Sequence, residues 1–276
     1  MGFVRLMVGG VKRRLNKFFF VLFVMKIQDV LDKKLKDIDI SKGDVEKLWN
    51  LAEGVICELK KKGVDAFVGG SLAKGTLIKK DEQDIDIFVV FKDESGLMKL
   101  ESVLKKIKFQ GELKLVHGSR NYFQILNPIA KIELIPTIET KSPEDAENVT
   151  DVSLSHVKYV VGMIKKNKEI AKEIKLAKAF CQAQRCYGAE SYIKGFSGYS
   201  LEVLVIYFGS FINFLKKIGG VRGIGEMKKK VIDSKKYFKD ERQVLFELNA
   251  SKLQSPLVVV DPTYRYRNVI YSTWNI

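Results

Sequence analysis

Two neighbouring stretches of this chain decide its fold: Gly69-Gly70-Ser71-Leu72-Ala73-Lys74-Gly75-Thr76 and Asp84-Ile85-Asp86-Ile87-Phe88. The first follows a short apolar run typical of a β-strand, and its glycines and serine are typical of a tight loop. The second is typical of another strand, in which residues two apart point to the same face of the sheet. Asp84 and Asp86 are therefore expected to project side by side, while the isoleucines next to them face the core.

The two aspartates and the loop together predict a site for a metal ion and a phosphate. Neighbouring carboxylates repel each other and stay ionised together only with a cation between them. Such oxygen ligands suit Mg²⁺, which in proteins keeps one or two carboxylates alongside substrate phosphates. Gly70 and Ser71 let the backbone approach a phosphate at the start of a helix, where Lys74 adds a positive charge and Thr76 a hydroxyl. A loop and an Asp-x-Asp strand in this order indicate a nucleotidyltransferase of the polymerase-beta type.

A third carboxylate from a neighbouring strand is needed to complete such a metal site. Glu133 is the best candidate, because it alternates with the apolar Ile132 and Leu134 as a strand requires. The alternative is that Glu133 is an exposed glutamate on an edge strand, without a catalytic role.

Hydrophobic periodicity places helices and strands around these motifs. A helix is predicted over Asp44–Lys62, with Ser41 and Asp44 as a capping box and Gly63 at its end. The first half contains one further predicted helix, Leu97–Lys108. It also contains five predicted strands: Ala66–Val68, Ile85–Phe91, Leu113–Val116, Tyr122–Leu126 and Ala130–Ile138. The second half is predicted to contain two helices and a β-like run: His156–Ala183, Leu201–Lys217 and Leu257–Val260. The fold class is α+β, with a mixed sheet and helices followed by a mainly helical part.

Composition divides the chain into three parts. The polar stretch 142–150 is the predicted boundary between a nucleotidyltransferase catalytic domain, residues 25–150, and a central nucleotide- and RNA-binding domain, residues 151–276. Residues 1–24 run from a basic stretch into an apolar one that is too short to span a membrane. We interpret them as a leader or as the product of a wrongly assigned start codon, because Met25 opens an ordinary domain sequence.

The charge of the chain favours a polyanionic partner. Lys and Arg number 48 against 33 Asp and Glu, which gives a formal net charge of +15. Each phosphate that a protein neutralises releases condensed counterions, so this excess favours nucleic acid. The alternative is an ordinary protein that happens to be basic.

The cysteine count favours a reducing compartment. Three cysteines without a Cys-x-x-Cys pair, and two histidines, exclude a zinc ribbon or finger and argue against a disulfide framework. We therefore expect a cytoplasmic protein, and no segment is predicted to cross a membrane.

From residue 25 onward the sequence resembles the archaeal class I tRNA CCA-adding enzymes, a family of tRNA nucleotidyltransferases. Four blocks carry the resemblance: Gly70-Ser71; Asp84–Phe88; Tyr187-Gly188-Ala189-Glu190 with Gly195-Phe196-Ser197-Gly198-Tyr199; and Val260-Asp261-Pro262 with Arg267-Asn268-Val269. The resemblance implies an enzyme that adds C residues, A residues or both to the 3′ end of tRNA from CTP and ATP. In that reaction the RNA 3′-hydroxyl attacks the α-phosphate in line, and pyrophosphate leaves.

The resemblance also implies roles for single residues. Asp84, Asp86 and Glu133 would hold two Mg²⁺ ions. The nucleotide would be bound by two further sets of residues: Gly70, Ser71 and Lys74 from the loop, and His156, Lys178, Tyr187, Asp261 and Arg267 from the second domain, the last two near the base. Taken singly, His156 is also compatible with a helix cap, Lys178 with a solvated helix face and Tyr187 with the core.

The sequence departs from the family in three places. Lys74 stands where the family usually has arginine, which keeps the charge but loses bidentate phosphate geometry. Glu133 stands where the family usually has aspartate, and the extra methylene moves the carboxylate. The chain also stops shortly after Arg267, whereas family members continue into a body and tail that grip tRNA. We therefore expect contact with the acceptor stem of tRNA, by the chain alone, as a homodimer, or with a second subunit that supplies a tail.

Two alternative functions stay open. One is another RNA 3′-terminal nucleotidyltransferase, of the oligoadenylate or poly(A) type. The other is a non-catalytic RNA-binding module derived from such an enzyme, which the glutamate at position 133 and the lack of a tail would support. The paired aspartates beside a phosphate loop weigh against this module, because binding alone does not need them.

Overall fold

A computed structural model describes five ranges of the chain: residues 26–118, 120–146, 148–189, 192–219 and 229–270. The chain forms two compact units, Met1–Asp39 and Ile40–Ile276. In the first unit residues 26–38 are helical, and the interpretation of residues 1–24 lies outside the described residues. Both sides of position 150 belong to the second unit, and the division into a catalytic and a central domain stays a prediction.

The second unit begins with alternating helices and strands and then becomes mainly helical. Its first part contains α1 (Lys42–Lys61), β1 (Asp65–Val68), α2 (Gly70–Lys74), β2 (Gln83–Phe91), α3 (Glu94–Leu104), β3 (Glu112–Val116), β4 (Tyr122–Leu126) and β5 (Ala130–Ile138). Its second part contains α4 (Ser153–Lys166), α5 (Glu169–Ala183), α6 (Gly198–Phe208), α7 (Phe211–Ile218), β6 (Lys230–Ile232), α8 (Glu241–Glu247), β7 (Leu257–Asp261) and β8 (Tyr264–Asn268). Short 3-10 helices cover Pro143–Asp145, Val149–Val152 and Ala250–Leu253.

Strands β1 to β5 form one mixed sheet in the order β1-β2-β5-β4-β3. β2 is antiparallel to β1 and parallel to β5, whereas β4 is antiparallel to both β5 and β3. In the parallel pair, Asp84 lies opposite Lys131 and Asp86 lies opposite Glu133. The sheet is therefore mixed, as predicted, and its register brings the third carboxylate next to the Asp-x-Asp pair.

The two faces of β2 differ because side chains alternate along a strand. Ile85, Ile87 and Val89 are fully buried and belong to the same core cluster as the apolar face of α1. Asp84 and Asp86 lie on the opposite face and are only partly buried. Burial of one face thus fixes the direction in which the acidic residues point.

Capping side chains set the starts of α1 and α3. Ser41 accepts the N–H of Asp44 at 3.0 Å, which confirms the predicted start of the first helix to within two residues. Asp93 accepts the N–H of Gly96 at 3.0 Å and starts α3 at Glu94, whereas apolar periodicity alone places this helix too late, over 97–108.

The prediction of one long helix over His156–Ala183 is wrong, because this segment forms two helices, α4 and α5. Asn167 between them has an extended backbone, with φ −144° and ψ 100°. Its side-chain oxygen accepts the N–H of Glu169 at 3.1 Å, a local hydrogen bond that competes with continuation of the helix. Periodicity alone does not show such a break.

The predicted apolar helix over Leu201–Lys217 is also two helices, α6 and α7, bent by 98°. Gly209 between them adopts a left-handed backbone with φ 77°, and Ser210 caps α7 by accepting the N–H of Asn213 at 3.2 Å. No single helix in the described ranges is long and apolar enough to cross a membrane. This bent pair reaches such a length only when its two helices are counted together.

A second sheet, which the sequence did not predict, lies in the C-terminal part. β6 is parallel to β7, and β7 is antiparallel to β8. β7 contains the predicted β-like run and is buried throughout. β6 has only three residues, and β8 reads Tyr-Arg-Tyr-Arg-Asn, so neither shows the apolar pattern that predicts a strand.

The core assignment predicts the effect of shortening Leu134, which is fully buried on the central strand β5. Leu134→Ala leaves a cavity, so we expect it to lower the free energy of unfolding by about 2–5 kcal/mol. Urea denaturation measures this loss. Leu115→Ala on β3 is the matched control, because Leu115 is 45% exposed and should cost under about 1 kcal/mol. Equal losses in the two variants would contradict the assigned core.

Candidate active site

The residues predicted to hold metal ions lie side by side on β2 and β5. Asp86 is the register partner of Glu133, and Asp84 lies two residues before Asp86 on the same face. Burial, together with the charges of Glu133 and Asp84, raises the pKa of Asp86 to about 6. A carboxyl group that is hard to ionise for these reasons gains from a cation placed next to it.

The glycine-serine loop packs directly on Asp86. The N–H of Gly69 donates to the backbone oxygen of Asp86 at 2.8 Å. A Cβ atom at position 70 would lie 1.6 Å from Oδ2 of Asp86, and the backbone of Gly70 has φ 55°, so glycine alone fits there. Ser71 follows in α2 and is half-buried. The loop and the strand that the sequence predicted separately therefore form one site.

Lysine side chains lie beside Asp84. Its two carboxylate oxygens are 2.7 Å from Nζ of Lys80 and 2.9 Å from Nζ of Lys131. Burial acts to raise the pKa of Asp84, but the hydrogen bonds and charges of both lysines outweigh it and lower the pKa. Glu133 Oε1 accepts a hydrogen bond from Gln124 at 3.0 Å and lies 3.5 Å from Nζ of Lys131.

Magnesium fits this site by the chemistry of its donors. Three carboxylates share one face of the sheet, and such oxygen ligands are those that Mg²⁺ prefers. Among the residues that the structure describes, however, no three acidic, histidine or cysteine side chains are close enough together to hold an ion as they stand. Lys80 and Lys131 are long and partly exposed, so they can turn away from Asp84 when a divalent cation binds.

Lys74 and Lys178, both predicted to bind the nucleotide, meet at the buried carboxylate of Glu202. Lys74 Nζ lies 2.8 Å from Oε2 of Glu202, and Lys178 Nζ lies 2.7 Å from Oε1. The Thr76 hydroxyl donates to Oε1 at 3.0 Å and accepts from Lys178 at 2.8 Å. We call these four buried residues the Glu202 cluster; it connects the loop after β1 to α5 and α6.

The charges of the Glu202 cluster depend on each other. Burial acts to raise the pKa of Glu202, but Lys178 and Lys74 outweigh it and lower the pKa to about 2. Burial lowers the pKa of Lys178, and Glu202 only partly restores it. Glu202 was not identified from the sequence. It is the single acidic residue in the apolar run 201–205, and this position could have indicated a role. A charge is rarely buried without a partner, so a buried ion pair was to be expected there.

His156, Asp261 and Arg267 form a second polar cluster. Asp261 accepts hydrogen bonds from Nε2 of His156 at 3.0 Å, from the hydroxyl of Tyr199 at 2.9 Å and from that of Thr263 at 2.8 Å. Nη1 of Arg267 lies 3.9 Å from the same carboxylate. Burial lowers the pKa of His156, so at neutral pH a neutral ring donates its N–H to ionised Asp261; we assign this tautomer from the acceptor.

Tyr187 and Tyr199 join the two clusters to the acidic residues. A Cβ atom at Gly198 would lie 2.9 Å from the Tyr187 hydroxyl, so the first residue of α6 packs closely on it. Burial, with the charges of Glu202 and of the β2 aspartates, raises the pKa of Tyr187. Nζ of Lys74 lies 5.3 Å from the centre of the Tyr199 ring. The predicted site residues therefore lie in one continuous polar region.

Two family models match the chain, one on each side of residue 150. The model "Nucleotidyltransferase domain" covers residues 51–146, and the model "tRNA nucleotidyltransferase, second domain" covers residues 172–273. The fold and these matches place the chain among proteins that contain a nucleotidyltransferase domain.

Archaeal CCA-adding enzymes are homologues of this chain. The enzyme of Nanoarchaeum equitans is 40% identical over 239 residues, which cover 84% of this chain and 57% of the relative. The enzyme of Methanocaldococcus jannaschii is 31% identical over 265 residues, which cover 90% of this chain and 56% of the relative. The chain is homologous to these archaeal CCA-adding enzymes over most of its own length, and it spans a little over half the length of these relatives.

Solved structures share the fold at low sequence identity. Cid1 in complex with a UTP analog superposes with a TM-score of 0.67 at 12% identity, over 90% of this chain and 87% of that chain. The polymerase core of TRAMP, an RNA surveillance complex, gives 0.59 at 16% identity, over 86% and 77%. These similarities confirm the polymerase-beta-type fold.

The raised pKa of Asp86 predicts that this residue destabilises the fold at neutral pH when no divalent cation is present. Because the pKa is higher in the folded than in the unfolded chain, stability is lost as the pH rises through about 6. We expect Asp86→Asn to raise the free energy of unfolding by about 1–3 kcal/mol at about pH 8, and by much less at about pH 4, where the carboxyl group is largely protonated in the folded chain and half protonated in the unfolded chain. Thermal unfolding in EDTA measures the difference.

Asp65→Asn is the matched control for this experiment, because Asp65 is exposed on the neighbouring strand β1. We expect its effect to be under about 0.5 kcal/mol at both pH values. The pKa argument would be contradicted if Asp86→Asn raised the free energy of unfolding equally at both pH values, or lowered it at the higher pH.

Proposed function

We propose that this chain adds C and A residues to the 3′ end of tRNA from CTP and ATP. The observation that carries the proposal is the pairing of Asp86 with Glu133 beside Gly70, in a homologue of the CCA-adding enzymes. The match of residues 172–273 to the second domain of tRNA nucleotidyltransferase supports tRNA over another RNA acceptor.

In the proposed reaction, Asp84, Asp86 and Glu133 would hold two Mg²⁺ ions, which would activate the RNA 3′-hydroxyl and neutralise charge on the triphosphate. The chain itself mainly supplies position and charge. We assign the nucleotide to residues on both sides of the acidic face: Ser71 and Lys74 at the phosphates, His156, Lys178 and Tyr187 at the phosphates and sugar, and Asp261 and Arg267 at the base. Gly70 keeps the loop against Asp86.

The proposal assigns different roles to two domains of the chain. Residues 25–150 would form the catalytic domain and residues 151–276 the central domain, which the positions of the two matched models support. The formal net charge of +15 supports the acceptor stem of tRNA as partner. The cysteines are free thiols, which supports the cytoplasm as the place of action.

Loss of Asp86 tests the catalytic proposal. We expect Asp86→Ala to lower Mg²⁺-dependent incorporation at least about 1000-fold, because no carboxylate is left between the other two acidic residues. The assay uses a tRNA that lacks its 3′ CCA, with labelled CTP and ATP separately and together, and product lengths are read on a gel. Asp65→Asn is the matched control and should keep full activity. Retained incorporation by Asp86→Ala would end the proposal.

The same assay decides between the proposal and its rivals. Specific addition of C, C and A supports the proposed reaction, whereas a long tail of one nucleotide would identify another RNA-terminal transferase. The ion pairs of Lys80 and Lys131 with Asp84 favour a third possibility, an RNA-binding module that no longer holds metal. That module would bind RNA but incorporate no nucleotide at any Mg²⁺ concentration.

The acceptor proposal predicts similar activity on whole tRNA and on a minihelix of its acceptor stem. If the described residues contact mainly the acceptor stem, kcat/KM for the minihelix should fall within about tenfold of that for tRNA. Both values should decrease steeply with salt, because the contacts are to phosphates. Activity on whole tRNA with none on the minihelix would contradict acceptor-stem recognition by this chain.

A further inference from the structure

Glu202 is an ionised carboxylate in the protein interior that contacts lysines from two other elements. Lys74 is the last residue of α2 and Lys178 lies on α5, whereas Glu202 lies on α6. Their exposed fractions are 1% for Glu202, 8% for Lys74 and 3% for Lys178. Burying such charges is costly, and apolar residues of similar volume would usually be as stable. Stability alone therefore does not explain the cluster.

The ammonium groups of Lys178 and Lys74 differ in how many of their N–H groups already donate a hydrogen bond. Lys178 Nζ lies 2.7 Å from the Glu202 carboxylate, 2.8 Å from the Thr76 hydroxyl and 3.5 Å from the Thr76 carbonyl, which occupies its three N–H groups. In this arrangement Lys178 would act on a bound nucleotide through its charge and not through a direct hydrogen bond. Lys74 Nζ donates to Glu202 at 2.8 Å and forms no second hydrogen bond to the residues that the structure describes. N–H groups of Lys74 are therefore left for a ligand.

We propose that Glu202 is a positioning residue for nucleotide binding: it fixes Lys74 so that the remaining N–H groups of this lysine bind a triphosphate, while Lys178 and Thr76 fix Glu202. The inference rests on the proposed function. Two ammonium groups against one carboxylate leave a net positive charge, so Glu202 orients Lys74 without cancelling its attraction for phosphate. Lys74 lies one helical turn after Gly70, whose backbone packs against Asp86, so it belongs to the loop that borders the acidic face.

Glu202→Gln tests this role, because the amide keeps the size of the side chain but loses its charge. With Lys74 less well fixed, we expect KM for CTP to rise at least about tenfold, with a smaller change in kcat. KM should also become more dependent on pH. The charged groups that act on Lys178 are Glu202, Lys74 and Lys80, and Glu202 is the one that favours the ammonium form.

Without that charge the pKa of Lys178 falls further, so the variant loses a positive charge near the triphosphate as the pH rises. We therefore expect KM of Glu202→Gln to increase between about pH 7 and about pH 9 by a larger factor than KM of the wild type. A residue with a purely structural role would not produce this pH dependence.

Two further variants control the experiment. Glu202→Asp keeps the charge, so we expect an intermediate KM and the pH profile of the wild type. Glu169→Gln removes a charge from the exposed end of α5 and should leave KM and its pH profile unchanged. Thermal unfolding verifies that each variant is folded.

A folded Glu202→Gln variant with the KM and the pH profile of the wild type, or with a loss confined to kcat, would overturn the role of Glu202. If Glu202→Gln does not fold, Glu202→Asp decides, and an unchanged KM in that variant would overturn it as well. Absence of incorporation by the wild-type chain is a different result. It would refute the proposed function before any variant is compared.

Discussion

The parallel register between β2 and β5 is the constraint on which the site depends. It pairs Asp86 with Glu133 on one face and, one residue further, Ile87 with Leu134 on the other. A shift by one residue would turn every side chain of a strand to the opposite face. Each buried isoleucine or leucine contributes about 1.5–3 kcal/mol, which is enough to offset the unfavourable burial of a carboxyl group next to two others. The core of the sheet therefore stabilises an acidic face that would not form by itself.

The elements predicted correctly are those whose pattern is local and strong. β2 alternates acidic and apolar residues, and α1 has both helical spacing and a capping serine, so the sequence shows them directly. The breaks at Asn167 and Gly209 were not predicted, because periodicity runs through them and only a cap or a left-handed residue interrupts the helix. β6 and β8 were not predicted, because a strand of three residues and a Tyr-Arg alternation do not show the apolar pattern of a buried strand.

The site was predictable to the extent that it rests on a local motif or on resemblance to a family. The loop and the β2 aspartates belong to one stretch, and the other predicted residues lie in the same region of the fold. Glu202 was not predictable in this way, because its partner Lys74 is 128 residues away in sequence. The contacts of Lys80 and Lys131 with Asp84 were not predicted either. In the sequence alone, a lysine near an acidic residue cannot be distinguished from a lysine on the solvated surface. Only the register between β2 and β5 shows that Lys131 lies next to Asp84.

One helix links the two ends of the polar region. Tyr199 and Glu202 lie three residues apart and therefore on the same side of α6. The first contacts Asp261, next to Arg267, and the second contacts both buried lysines. Any rotation or sliding of α6 must move both contacts at once. Under the proposed assignments, a substitution that shifts α6 to change the choice of nucleobase would therefore also move the lysines that bind the phosphates.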